Sequence, residues 1–130
     1  MATRAKVFEY AVEVDRGGRM TIPGGAQIAP AEGWTPDHLL LASLVQCSIE
    51  SFAYHARRAG HEVAATGEGW GTVTKREEDD RYAFVEIGVR MDVQLTPRAA
   101  DAADLIAKAE RDCFVGATVR VKPEYEWHVS

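Results

Sequence analysis
Residues 5–14 alternate, with Phe8, Tyr10, Val12 and Val14 on one side and Glu9 and Glu13 on the other, the pattern of a half-buried strand. Asp15, Gly17 and Gly18 supply turn residues, and 20–22 reads as a short antiparallel return that Pro23-Gly24-Gly25 breaks. A hairpin therefore opens the chain. No period is visible over 27–33, which reads as a loop. Thr35 as N-cap and Pro36 at the first helical position then mark a helix over 36–59, closed by Gly60 and about 36 Å long. At 100° per residue, Leu40, Leu41, Leu44, Val45 and Phe52 form a wide apolar arc that Ala42, Ile49 and Ala53 extend. Only a stripe near Ser43, Gln46 and Glu50 is polar, so this helix is expected to be enclosed by other elements.

Two strand-like stretches follow, 61–74 and 82–95, separated by the charged run 75–81, which reads as a solvated hairpin loop. In the second, Ala83, Val85, Ile87, Val89, Met91, Val93 and Leu95 share one face, opposite Glu86, Arg90 and Asp92. Thr96-Pro97 repeats the helix-start signal, and Ala99, Ala102, Ala103, Ile106 and Ala109 keep helical spacing up to Asp112. Tyr125, Trp127 and Val129 alternate with Glu124, Glu126 and His128 as a last strand. Strands, long helix, strands, helix and strand predict an α+β fold built on antiparallel meanders.

Composition narrows this reading without changing it. The chain has 130 residues, 46% of them hydrophobic and 27% charged, which suits one domain over 1–130 that needs neither metal nor disulfide to fold. With 15 Lys and Arg against 20 Asp and Glu, the net charge is −5 and no basic block stands out, so nucleic acid is not an expected partner. The most apolar stretch, 39–45, is far short of the ~20 residues that span a bilayer, so no membrane partner is expected. No apolar leader region opens the sequence, and a cytoplasmic location is expected, where cysteines rest reduced. His38, His55, His61 and His128 show no ligand spacing, so neither a metal nor another cofactor is expected.

The chemistry lies with two cysteines, Cys47 within the long helix and Cys113 at the end of the second. They are 66 residues apart and form no local redox or zinc motif, so spacing alone favours two small packing residues. The surrounding sequence points elsewhere. Thr35-Pro36-Asp37-His38-Leu39-Leu40-Leu41-Ala42, followed by Cys47, resembles the Pro-acidic-x-Leu-Leu-x-Ala-x-x-x-x-Cys signature of the OsmC/Ohr family of osmotically inducible and organic hydroperoxide resistance proteins. Ala109-Glu110-Arg111-Asp112-Cys113-Phe114-Val115-Gly116 is similar to the family's second cysteine segment, with Phe114 and Gly116 in place of a usual proline and hydroxyl residue.

The resemblance implies antiparallel sheets wrapped around a long central helix, in an intertwined homodimer with sites at the subunit interface. It also implies a thiol peroxidase that reduces organic hydroperoxides and hydrogen peroxide and is reset by an external dithiol. By position, Cys47 is then the peroxidatic cysteine, Cys113 the resolving one, Asp37 the family's acidic residue, and Arg16 or Arg19 its arginine. Such an arginine would favour the thiolate and polarise the departing oxygen, with the carboxylate holding the guanidinium. Leu44 and Phe52 are expected to contact an apolar substrate. Two other readings stay open: a dimeric module that binds a small apolar ligand and keeps structural cysteines, and an interaction protein that has lost its chemistry. Helix geometry adds that Asp37 and Cys47, ten residues apart, lie about 15 Å from each other along one helix. If they act together, Asp37 comes from a second chain or works through a long arginine.

Overall fold
The computed structural model describes residues 5–130; residues 2–4, on which the leaderless reading rests in part, lie outside the described residues. The fold is α+β, with two three-stranded sheets and one long helix. The chain divides into two compact units, Met1–Thr35 and Pro36–Ser130.

In the first unit β1 (Glu13–Val14), β2 (Met20–Thr21) and β3 (Gln27–Ile28) form an antiparallel sheet in that order. The Asp15 carboxylate accepts the backbone N–H of Gly17 and of Arg19, each at 2.9 Å, and Gly18 takes φ 86°, where a side chain would be strained. Arg16 lies at the tip of this turn, and both Arg16 and Arg19 are exposed. The expected strand over 5–14 is corrected to its last two residues. A strand exists only as half of a ladder, and β2 offers a partner two residues long. No strand is formed over 5–12, and Val7, Tyr10 and Val12 are exposed. β3 falls in the expected loop: after Pro23 the chain reverses, Gly25 N–H donating to Ile22 O and Ile22 N–H to Ala26 O, both at 3.0 Å. Two residues are too few to show a period.

The second unit runs α1 (Pro36–Arg58), β4 (Glu62–Lys75), β5 (Tyr82–Thr96), α2 (Ala103–Arg111), α3 (Phe114–Thr118) and β6 (Glu124–Val129). β4 and β5 form a long antiparallel hairpin, closed by a turn in which Arg76 grips Asp79 through two hydrogen bonds of 2.9 and 2.7 Å. The expectation of antiparallel pairing throughout is corrected at β6, which runs parallel to β5 from Gly88↔Glu124 to Val93↔Val129. After Thr96 the chain returns through α2 and α3 to the level of Gly88, so its next strand must run in the direction of β5.

Ile87, Val89, Met91, Val93 and Leu95 are buried as predicted, against Leu44, Phe52 and Ala56 of α1 and Leu105 and Ala109 of α2. Val85 leaves this face. Thr72 pairs with Glu86 and Val73 with Phe84, so Val85 is the extra residue of a bulge. The bulge inverts the alternation and brings Phe84, not Val85, onto the core. The second helix begins at Ala103 instead of after Thr96-Pro97, because Thr96 is held in the ladder opposite Glu62.

Helix α1 sits close on β4 because that strand is small where they cross. A Cβ on Gly67 would lie 2.7 Å from Val45 Cγ1 and 3.1 Å from Arg90 O, and one on Gly69 3.0 Å from Val45 Cγ2. Gly67→Ala is therefore expected to lower stability by about 1–3 kcal/mol through overpacking, read as a lower urea midpoint at unchanged slope. Expected enclosure of α1 is met within this unit on one side only. Its other side carries an open hollow of about 710 Å³, lined among others by Gln46, Ile49, Glu50, Tyr54 and Arg57. Among the described residues no helix is long and apolar enough to cross a membrane.

Candidate active site
Ser48, Ser51 and His55 follow one another at intervals of three and four on α1 and so share a face. Each ties the helix to the segment that carries the second cysteine. Ser51 Oγ donates to Ala109 O at 2.8 Å, His55 Nε2 meets Asp112 Oδ2 at 2.7 Å, and Ser48 Oγ stands 3.8 Å from Cys113 Sγ. These contacts bridge the separation in sequence and set Cys113 against Cys47, with the two thiols interacting through their side chains. Both cysteines are free, Cys47 half-buried and Cys113 fully buried.

Cys113 does not close the second helix. It caps the next one: its backbone is extended (φ −77°, ψ 108°) and its sulfur accepts the Gly116 N–H at 3.4 Å. The Tyr125 phenol from β6 stands beside the same sulfur, both bordering the space where a Gly116 side chain would be. Burial pushes that phenol up to about 12, helped by the neighbouring Cys113, Glu110 and Cys47, so it stays a hydrogen-bond donor at neutral pH.

Burial raises the Cys47 thiol above its ordinary value, and the Cys113 thiol beside it adds to the rise. The backbone amides of Val115 and Phe114 act the other way, favouring the thiolate. Among the described groups acting on Cys47 none is a cation, so the second unit by itself does not supply the charge that a reactive thiol needs. Arg16 lies in the first unit. Asp37 occupies the exposed first turn of α1, and that helix is unbroken from Pro36 to Arg58, so the roughly 15 Å to Cys47 stands within one chain.

The expectation that Leu44 and Phe52 present a surface to substrate is corrected. Both are 0% exposed, and Phe52 stacks on Trp127 at a ring separation of 5.2 Å. Their area is taken up by the core. The groups that act on the Cys47 thiol are Cys113 and the backbone of Val115 and Phe114. Ser48 and Tyr125 have no sequence signal as site residues. Ser48 is one serine among several, and Tyr125 reaches the sulfur only through the register of β6.

Asp112 is braced on both sides. Arg111 holds it through Nε and Nη2 at 2.9 and 3.0 Å, and with His55 keeps its carboxyl down at about 2. A folded value below the unfolded one of about 3.9 means stability that is present above pH ~4 and lost as pH falls through about 2. Asp112→Asn is thus expected to flatten the acid limb of a urea-midpoint profile between pH 4 and pH 2 relative to the parent, leaving neutral pH the less affected end in slope. Asp79, held at about 2 by Arg76, is expected to contribute in the same pH range, a contribution that Asp79→Asn removes.

The model of the family described as OsmC-like protein matches residues 29–128. No curated protein matches the chain. An OsmC-like protein of unknown function from Vibrio cholerae has the same fold at 14% identity and TM-score 0.74, covering 93% of this chain and 99% of that one. An OsmC-like protein from Mycoplasma pneumoniae superposes with TM-score 0.69 at 16% identity over 98% of each chain. The organic hydroperoxide resistance protein OhrB of Bacillus subtilis does so with TM-score 0.58 at 20% identity, over 94% of this chain and 96% of that one. At these identities the likeness is one of fold.

Proposed function
From the premise that the chain belongs to the OsmC-like protein family, we propose that it is a cysteine-based peroxidase acting on organic hydroperoxides and hydrogen peroxide. The observation that carries this reading is the meeting of the two thiols beneath the amides of Phe114 and Val115, from segments 66 residues apart. The Cys47 thiolate attacks the nearer peroxide oxygen, the O–O bond breaks, and the departing alkoxide takes a proton to leave as the alcohol. Cys47 is left as the sulfenic acid. Cys113 then condenses with it to a disulfide with loss of water, which protects Cys47 from further oxidation. An external dithiol returns both to thiols, as the reducing cytoplasm allows.

The missing cation is proposed to be Arg16, with Arg19 the neighbouring alternative, and Asp37 of the partner subunit to hold it. A homodimer agrees with the exposed side chains of Val7, Tyr10 and Val12 and with the open side of α1. The family match runs across the boundary between the two units, which supports a single domain over 1–130.

The test is to treat the reduced protein with one equivalent of an organic hydroperoxide and map oxidation by peptide mass spectrometry. A Cys47–Cys113 disulfide formed within seconds, and absent in Cys47→Ser, is the expected result. The raised Cys47 thiol favours a second reading, an apolar-ligand module with structural cysteines. Two thiols intact after excess hydroperoxide would establish that reading instead.

A further inference from the structure
We propose that Tyr125 is a positioning residue for Cys113: its phenol stands beside the Cys113 sulfur in the space left by Gly116 and, with the Gly116 amide, holds that sulfur for attack in the disulfide-closing step. The proposal rests on the reading of Cys47 and Cys113 given above.

Cys113 is 0% exposed, and a thiolate removed from water is costly unless donors surround it. Two groups are placed to serve the attacking sulfur, and a third serves the resting thiol. Ser48 Oγ gives its own proton to Leu44 O at 2.8 Å, which leaves its lone pairs toward Cys113 Sγ at 3.8 Å to accept the S–H of the thiol form. The Gly116 N–H donates to the sulfur at 3.4 Å and the Tyr125 O–H stands beside it, placed to donate as the sulfur gains charge. Other ionisable groups near this cluster are Cys47 on α1 and Glu110 on α2.

The local structure is shaped to admit the phenol. A Cβ on Gly116 would lie 2.4 Å from Tyr125 Oη and 3.3 Å from Cys113 Sγ, so the missing side chain is the space in which the hydroxyl meets the sulfur. Tyr125 is carried there by β6, paired with Val89 on the core face. Two residues on, Trp127 fixes the strand by stacking on Phe52 and donating to Glu110 Oε2 at 3.0 Å.

In the step served, the Cys113 thiol gives up its proton and its sulfur attacks the sulfur of the Cys47 sulfenic acid. The S–S bond forms, the S–O bond breaks, and the hydroxide takes a proton to leave as water. One sulfur is oxidised as the other is reduced, so no further oxidant enters.

The experiment uses the full chain with one equivalent of cumene hydroperoxide and dimedone to trap the sulfenic acid. In Tyr125→Phe the rate of disulfide closure relative to sulfenic acid formation is expected to fall about tenfold, with the Cys47 dimedone adduct accumulating. Gly116→Ala, whose Cβ displaces the phenol, is expected to slow closure likewise and to add little in the Tyr125→Phe background. In Cys47→Ser protein the rate at which Cys113 exchanges with a small disulfide at fixed pH is expected to fall about tenfold on Tyr125→Phe. A closure ratio and a Cys113 exchange rate both unchanged would overturn the proposal. A parent protein that yields no sulfenic acid would overturn the peroxidase reading alone, since the Cys113 exchange rate still decides the role of Tyr125.

Discussion
Cys47→Ser is expected to reduce hydroperoxide consumption to the uncatalysed background, a loss on the order of a thousandfold or more. Serine nearly matches cysteine in volume, and Cys47 is only half-buried, so the fold should be kept and the loss should be chemical. A neutral hydroxyl is a poor nucleophile toward a peroxide oxygen, whereas the thiolate is a strong one. Cys113→Ser separates the two steps. It is expected to keep the first consumption of peroxide, accumulate the Cys47 sulfenic acid, and over-oxidise on further turnover. Loss of cumene hydroperoxide with dithiothreitol as reductant measures both variants. Residual turnover above about 1% in Cys47→Ser would show that another group attacks the peroxide.

Phe52→Ala is expected to cost about 3–5 kcal/mol, a large part of the 5–15 kcal/mol that holds a domain of this size. Phe52 is fully buried between α1 and the sheet, and its removal leaves a cavity beneath Trp127 and takes away the 5.2 Å ring stack. Circular dichroism against urea gives the change in midpoint. Phe52→Leu fills more of the space and is expected to lose less stability while leaving KM for an organic hydroperoxide unchanged. A stable Phe52→Ala protein with a raised KM would instead make this ring a substrate contact.

What could be read along the chain follows how local each signal is. The start of α1 is written in Thr35-Pro36, and the strand character of β4 and β5 in their length and alternation. The direction of β6 is not local. Alternation of Tyr125, Trp127 and Val129 fixes which residues share a face, but the return path through α2 and α3 decides that the strand is parallel. The Val85 bulge depends on how two strands register, and α3 on a cap from its own cysteine sulfur, and neither leaves a periodic trace. Leu44 and Phe52 misled because an apolar arc on a helix has the same pattern whether it faces a core or a ligand. For the site, family resemblance paired Cys47 with Cys113, which spacing could not do, while Ser48 and Tyr125 reach the sulfur only by tertiary packing.

Within one chain burial holds the Cys47 thiol above its ordinary range, and the proposed peroxidase requires it to be brought below by a guanidinium. The decisive quantity is therefore the acidity of Cys47 in the assembled protein, obtained from the pH dependence of its alkylation rate followed by peptide mass spectrometry. A midpoint clearly under the ordinary ~8.5, moving up on Arg16→Met or Arg19→Met, is the expected result. A midpoint at or above that value, indifferent to both arginines, would contradict it and leave Cys47 a packing residue.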